Sequence, residues 1–165
     1  MKQTEFNLTS LENWLWDAAC EIRGATDAPK FKDFILPLIF FKRLCDVFDD
    51  ELTELVTMFG SEKLAQYMIE ADHLASEQNP QRKNDPCFVP IVHFYIPKEY
   101  RWNKVRNHPR NGKLGEFITS ALRAVAKRNS ELKDVLDVKD YNEKRQNQRV
   151  LDDEHLAALI EVIKM

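Results

Sequence analysis

Glycine is unusually scarce in this sequence, with four among 165 residues, where a share of ~7% is usual. Three of the four stand alone at Gly24, Gly60 and Gly112, and Gly115 follows three residues after the last of these. Loops that cradle a phosphate or a ribose usually need clustered glycines, because their backbone must approach the ligand closely. The scarcity therefore argues against a P-loop enzyme and against a complete Rossmann-type cofactor domain.

Cysteine and histidine are few and lack the spacing of metal sites. The three cysteines, Cys20, Cys45 and Cys87, lie far apart, are odd in number and form no Cys-x-x-Cys pair. Neither a zinc ribbon nor a disulfide framework is supported, and a reducing, cytoplasmic setting fits this usage best. The four histidines show no His-Glu-x-x-His or other ligand spacing, so we expect no bound metal.

Long hydrophobic runs and a large excess of basic charge are also missing. The longest apolar run, Phe34–Phe41, has eight residues, whereas a membrane span needs ~20, and the first residues carry no signal-peptide core. The net charge of −3 excludes a wholesale basic nucleic-acid binder but not a local basic face. We therefore expect a soluble protein without a membrane partner.

Apolar residues at helical spacing are abundant instead. The clearest pattern predicts a long second helix with one face repeating every seven residues, formed by Phe34, Leu38, Phe41, Cys45, Phe48, Leu52, Leu55 and Phe59. Asp27 is suited to cap this helix, Pro29 suits its first turn, and Gly60 is expected to end it.

Further helices are predicted on both sides of this one. In the third helix, one face is lined by Leu64, Tyr67 or Met68, Ala71 and Leu74. The patterns together predict an all-α single domain of about six or seven helices, in which residues 88–100 could form one minor β-hairpin.

Charge is distributed unevenly along the chain. Residues 49–77 hold eight acids and one base (net −7), and residues 98–113 hold six bases and one acid (net +5). Asn, Tyr and Trp are interleaved with these bases, a composition that suits a surface lined by phosphates. A second basic set consists of Lys139, Lys144, Arg145 and Arg149. From the two sets, the candidate DNA contacts are Lys98, Arg101, Lys104, Arg106, Arg110, Lys113, Lys144 and Arg145. The alternative interpretation is that these runs are ordinary solvated surface.

No pattern in the chain supports catalysis by itself. The carboxylate clusters Asp49–Glu51 and Asp152–Glu154 lie at a helix turn or start. Charge at such positions is normally solvated or interacts favourably with the helix dipole. Cys45 lies on the apolar stripe, which favours a core residue over a nucleophile. No Gly-x-Ser-x-Gly sequence occurs.

Four residues are candidates for an interface with another domain or subunit. The last predicted helix has an apolar stripe and reaches Met165 without a glycine, asparagine or proline terminator. We therefore expect the chain to continue, and Ile160 and Ile163 are interface candidates. Lys42 and Arg43 lie only partly opposite the stripe of the second helix. They could face DNA, a catalytic domain or solvent, and are also interface candidates.

Five stretches in chain order resemble the N-terminal helical domain of the modification (M) subunit of type I restriction–modification DNA methyltransferases. They are Leu15–Gly24 (LWDAACEIRG), Phe31–Asp46 (FKDFILPLIFFKRLCD), Ile96-Pro97 followed by Trp102, Asn111–Ala121 with its Gly115-Glu116 pair, and Asp140–Arg145 (DYNEKR). The resemblance covers nearly the whole chain. The sequence departs from the family pattern at Cys20, where an acid is usual, and at Cys45, where a small polar residue is common.

The resemblance implies an activity for the full-length protein, namely methyl transfer from S-adenosylmethionine to the exocyclic amine of adenine in DNA. The family's glycine-bearing cofactor motif and its Asn/Asp-Pro-Pro-Tyr/Phe motif do not occur here, since Asn79-Pro80 continues as Gln81. We therefore expect residues 1–165 to be the helical domain alone, inactive and without a cofactor. The catalytic, S-adenosylmethionine-binding domain is expected after residue 165.

The resemblance also implies partners. These are double-stranded DNA, a specificity (S) subunit, a second M subunit and the restriction (R) subunit, with the helical domain helping to enclose the DNA. A different class of function remains as the alternative. In that case the chain is a stand-alone helical adaptor that binds protein through the acidic residues 49–77 or through the apolar end of its last helix.

Overall fold

The computed structural model describes residues 8–25, 30–136 and 139–163. In this part of the chain lie seven α-helices and one two-stranded antiparallel hairpin, with short 3-10 turns between them. The helices are α1 (Leu8–Glu21), α2 (Phe31–Phe59), α3 (Glu62–Gln78), α4 (Trp102–Arg106), α5 (Leu114–Arg128), α6 (Lys133–Leu136) and α7 (Asp153–Val162), and the strands are β1 (Lys144–Arg145) and β2 (Gln148–Arg149). The prediction of a mainly α-helical fold with six or seven helices is confirmed.

The long helix α2 is the centre of the core. The first five residues of its predicted stripe, from Phe34 to Phe48, are buried, and Leu52, Leu55 and Phe59 are half-buried. The helix ends at Gly60, whose φ of +70° suits glycine and whose N–H donates to the carbonyl of Val56 at 2.8 Å. The stripe and this end of the helix are confirmed, whereas the predicted caps Asp27 and Pro29 lie outside the described residues.

Helix α3 folds back on α2 after a two-residue turn. Ser61 caps it by accepting a hydrogen bond from the N–H of Leu64 at 3.4 Å. The buried residues of α3 are Ala65 and Ile69, and the predicted apolar face with Tyr67 and Leu74 is exposed. The periodicity identified a real apolar face, but the contact with α2 is made by a different one.

The β-hairpin lies elsewhere than expected. Lys144 pairs with Arg149 and Arg145 with Gln148, and the two residues between the strands both have positive φ, 48° and 64°, as tight hairpin turns require. The prediction of a hairpin in residues 88–100 is wrong, because this segment contains no strand.

Residues 88–100 are held by side chains of neighbouring elements instead. The N–H of Ile91 donates to Asp72 at 3.1 Å, that of His93 to Glu51 at 3.1 Å, and that of Tyr95 to Asn129 at 2.9 Å. Prolines at 90 and 97 remove two further donors. Three N–H groups of the segment therefore find side-chain acceptors without a partner strand.

Helix α7 closes the core against α1, α4 and α5. Asp152 caps it by accepting a hydrogen bond from the N–H of His155 at 2.9 Å, as predicted. Ile160 and Ile163, the two apolar interface candidates, are 2% and 0% exposed. This corrects their assignment, because the chain's own helices already cover the stripe for which we expected an external partner. None of the described helices combines the length and apolarity needed to cross a membrane.

Candidate nucleic-acid interface

Tyr141 joins two of the motif stretches at the centre of the core. Its hydroxyl donates a hydrogen bond to the carbonyl of Phe34 at 2.6 Å, and its ring meets the Phe34 ring edge-on with centroids 5.8 Å apart. Its backbone N–H donates to Oγ1 of Thr119 at 2.9 Å. The side chain is fully buried, and this burial raises the pKa of its phenol well above 10. Tyr141 therefore has a structural role, with no solvent access for chemistry.

Gly115 is required by the same packing. A Cβ at this position would lie 2.4 Å from the carbonyl oxygen of Tyr141, a distance that no side chain tolerates. The carbonyl of Gly115 in turn accepts a hydrogen bond from Thr119 Oγ1 at 2.8 Å. The Tyr141 carbonyl occupies the space that a side chain would take, so this glycine does not form a binding loop for a nucleotide.

Trp102 connects the third motif to α2. Its buried ring lies 6.1 Å from that of Phe41, and Nζ of Lys42 lies 6.0 Å from its centroid. Lys42 is only 6% exposed and forms an ion pair with Asp46. Of the two charged interface candidates, the structure thus buries Lys42 and leaves Arg43 exposed. The last four motif stretches therefore meet one another through buried side chains, which serve the packing of the domain.

Cys45 lies on the same side of α2, and burial raises the pKa of its thiol to about 12. Because the thiolate is the reactive form, this cysteine is chemically inert near neutral pH. Among the described residues, no three His, Cys, Asp or Glu side chains are grouped so that they could hold a metal ion.

The eight candidate DNA contacts divide into exposed bases and bases engaged in the fold. Five are exposed and form no ion pair within the described part of the chain: Lys98, Lys104, Arg110, Lys113 and Lys144. The other three, Arg101, Arg106 and Arg145, have partners in the structure. For Arg101 and Arg106 the sequence could not show this, because their partners Phe48 and Glu161 lie far away along the chain.

Arg101 packs α4 against α2. Its guanidinium lies 4.7 Å from the centroid of the buried Phe48 ring, and its Nε is buried without a hydrogen-bond partner among the described residues. Burial raises the pKa of the nearby Asp49, and the charge of Arg101 acts in the opposite direction. Arg101 is therefore a packing residue first, which makes it a poor choice for a free phosphate contact.

Arg106 and Arg145 form ion pairs at the surface. Nε of Arg106 lies 3.2 Å from Oε1 of Glu161, which ties α4 to α7. Nε of Arg145 lies 3.7 Å from Oε1 of Glu143, whose pKa is lowered chiefly by its hydrogen bond with Lys139. Surface pairs of this kind contribute about 0–1 kcal/mol, so both arginines are able to exchange their partners for a phosphate.

Asp153 brings the two basic segments together. Its Oδ2 accepts a hydrogen bond from the N–H of Gly112 at 2.7 Å, and its Oδ1 lies 3.3 Å from Nη1 of Arg149. Gly112 has a φ of +81°, and a Cβ there would lie 3.6 Å from the Arg149 guanidinium. The loop that ends the first basic segment therefore lies against the hairpin that carries the second.

An open surface depression marks this junction, with Arg110 and Arg149 on its wall beside Asp152, Asp153 and Glu154. Sequence reasoning assigned the carboxylates to the start of the last helix and did not select Arg149 as a contact. The available signal was the four-residue separation of Arg149 and Asp153, which suits an ion pair on one face. The link to Gly112 has no sequence signal.

A second depression lies between α3, residues 88–95 and the end of α5. The His73 and Tyr95 rings stack there with centroids 3.7 Å apart, and Asn129 bonds both the N–H and the carbonyl of Tyr95 at 2.9 Å. Burial raises the pKa of Tyr95 to about 12 and lowers that of His73. Within this lining, Asn129 bonds Tyr95 and the hydroxyl of Ser76 donates to the carbonyl of Asp72 at 2.9 Å, so part of its polar surface is used by the fold.

The fold is thus a mainly α-helical domain whose buried motif residues pack against one another. Two arginines, Arg110 and Arg149, line one depression between a loop and the hairpin. A family model described as the HsdM N-terminal domain matches residues 11–163. The chain belongs to this family and is an N-terminal domain of a type I restriction–modification M subunit. A comparison with curated proteins found no match.

Proposed function

We propose that this domain helps to enclose double-stranded DNA in a type I methyltransferase complex. The observation that carries the proposal is the junction at Asp153, where the loop after Arg110 meets the hairpin with Lys144 and Arg149. Arg110 and Arg149, from two separate parts of the chain, line one depression there together with Asp152, Asp153 and Glu154. Exposed arginines and lysines suit the phosphate backbone of DNA, because contacts to phosphates depend on well-placed positive charge and not on the base sequence.

Adenine methylation gives a physical reason for an enclosing domain. A methyltransferase must extrude its target base from the duplex, at a cost of a few kcal/mol. Backbone contacts from a domain outside the catalytic centre offset part of that cost, because they add binding energy at any sequence. The reading of bases would then belong to the S subunit.

We propose that the cofactor binds outside this chain. The Tyr141 carbonyl occupies the space beside Gly115, and the N–H of Gly112 is bound to Asp153, so neither glycine is available to a nucleotide. S-adenosylmethionine and the catalytic residues would lie in another domain of the full-length, adenine-specific enzyme, which would work in the cytoplasm. Its S subunit, second M subunit and R subunit are the proposed partners, and the exposed Arg43 remains a candidate contact.

The test is DNA binding by the full complex with Lys104→Ala and Arg110→Ala combined. Both side chains are exposed and outside the packing contacts, so the fold should be unaffected. Loss of two phosphate contacts should lower the slope of log affinity against log salt by about 1.8 and weaken binding at every sequence alike.

The matched control combines Lys32→Ala with Lys63→Ala, two exposed lysines outside both basic segments. This control should retain the salt slope of the wild type. An unchanged slope in the Lys104/Arg110 variant, or a loss confined to one target sequence, would refute the proposed role of the surface.

A further inference from the structure

Helix α3 carries an apolar stripe that nothing in the described part of the chain covers. Ala65 and Ile69 face the core, whereas a separate face is formed by Leu64, Tyr67, Ala71 and Leu74. The exposed fractions are 45% for Leu64, 67% for Tyr67 and 49% for Leu74. Single exposed apolar residues are ordinary, but a continuous stripe along one helix face is a feature of interaction surfaces.

The spacing of the stripe fits another helix. Its members are three, four and three residues apart, which is the separation of the core positions of a heptad repeat. Ridges with this spacing interdigitate with those of a second helix at a shallow crossing angle. Ala71, in the middle of the stripe, is small and half-buried, so a partner side chain at this point can approach the helix backbone closely.

Charge beside the stripe limits the kind of helix. Glu70 and Glu77 occupy the flanking positions where heptad pairs exchange charges, and both are exposed. Glu70 accepts a hydrogen bond from the Tyr95 hydroxyl at 3.1 Å, and Glu77 lies 3.3 Å from Nε2 of His73. The first contact orients Glu70, and both carboxylates remain exposed.

Acids also prevail in the sequence around the stripe, although Asp72 pairs with Arg82 and Glu51 with His93. Residues 49–77 contain eight acids, and the only base among them is Lys63. This excess repels nucleic acid and attracts cationic groups. It also disfavours a second copy of α3 as the occupant, because two such helices would bring like charges together at their flanking positions.

We propose that the α3 stripe docks a basic amphipathic helix of a partner protein. The partner helix presents apolar residues at three- and four-residue spacing, flanked by Lys or Arg opposite Glu70 and Glu77. Apolar burial supplies the contact, and the flanking charges select the partner and its orientation. This surface is distinct from the basic junction at Asp153, so one face of the domain serves DNA and another serves protein.

The experiment measures binding of synthetic helical peptides to the 165-residue chain by fluorescence anisotropy. The probe has leucine at the heptad core positions and lysine at the flanking positions. One comparison peptide replaces every lysine with glutamate, and the other has the composition of the probe in a scrambled order. The probe should bind, its affinity should fall with added salt because the flanking pairs are exposed, and neither comparison peptide should bind measurably.

The variant Tyr67→Ser with Leu74→Ser should weaken binding of the probe by about tenfold or more, because two apolar anchors are lost. The matched control is Trp16→Ser with Val135→Ser, which removes one aromatic and one aliphatic side chain of similar exposure, 65% and 42%, on other helices. The control should bind as the wild type does.

Any of four results overturns the proposal. These are no binding of the probe at low salt, equal binding of the probe and the glutamate peptide, equal losses in the two double variants, or wild-type self-association in sedimentation that Tyr67→Ser with Leu74→Ser abolishes. The last result places a second copy of the chain on the stripe.

Discussion

Substitution of Tyr141 by phenylalanine tests the view that the Asp-Tyr-Asn stretch serves the fold. The change removes one hydroxyl, which donates a 2.6 Å hydrogen bond to the carbonyl of Phe34 from a fully buried position. Loss of such a bond costs about 1–3 kcal/mol, because a buried acceptor loses a partner. In a chain of this length, each kcal/mol lowers the melting temperature by about 2–4 °C.

The assay is urea unfolding followed by circular dichroism, with thermal unfolding beside it. Tyr141→Phe should lower the urea midpoint without changing the slope, because the packing surface is nearly the same. The matched control is Tyr67→Phe, which removes a hydroxyl from a side chain that is 67% exposed, and it should leave the midpoint unchanged. Tyr141→Ala should cost about 3–5 kcal/mol, as other truncations of large buried rings do.

Equal midpoints for Tyr141→Phe and Tyr67→Phe would refute this reasoning. The hydrogen bond to Phe34 would then contribute nothing to stability. The role of the motif would have to be sought in a contact outside the domain.

Three further predictions follow from the buried groups and from the cofactor assignment. Cys45 should resist a thiol reagent at neutral pH, since its pKa is raised to about 12, while the exposed Cys20 and Cys87 react; rapid labelling of three thiols in the folded chain would contradict this. Burial lowers the pKa of His73 below 6.5, so the unfolded chain takes up the proton first and stability should fall as the pH drops below about 6.5. His73→Asn should reduce the fall of the urea midpoint below about pH 6.5. An unchanged pH dependence would contradict the role given to His73. Calorimetry of the 165-residue chain with S-adenosylmethionine should give no binding heat, and a saturable signal would overturn the assignment of the cofactor to another domain.

The candidate DNA contacts Arg101 and Lys104 have the same charge but different roles in the fold. Sequence reasoning treated Arg101 and Lys104 as equivalent candidates, because they are three residues apart in one basic run. The structure separates them, since Arg101 stacks on Phe48 while Lys104 is exposed. An alanine at 101 would therefore disturb the α2–α4 packing as well as any DNA contact, and Lys104 with Arg110 is the cleaner pair to test.

The apolar faces of α3 and α7 show that sequence periodicity does not predict whether a face is covered. The stripe of α3 is exposed although its periodicity is regular, and the stripe of α7 is buried although the sequence suggested an external partner. Periodicity identifies which residues share a face of a helix. It does not identify which face meets a neighbour, because that depends on the packing of other helices.

The sequence by itself determined the helices, their apolar faces and several of their ends, because these depend on residues within one or two turns of each other. The seven-residue stripe of α2, its end at Gly60 and the cap at Asp152 are of this kind. Only the tertiary structure decided which faces are covered, which bases are engaged and where the hairpin forms. It also decided that Asp153 joins Gly112 to Arg149, because that contact spans about forty residues and is made by atoms that local patterns do not bring together.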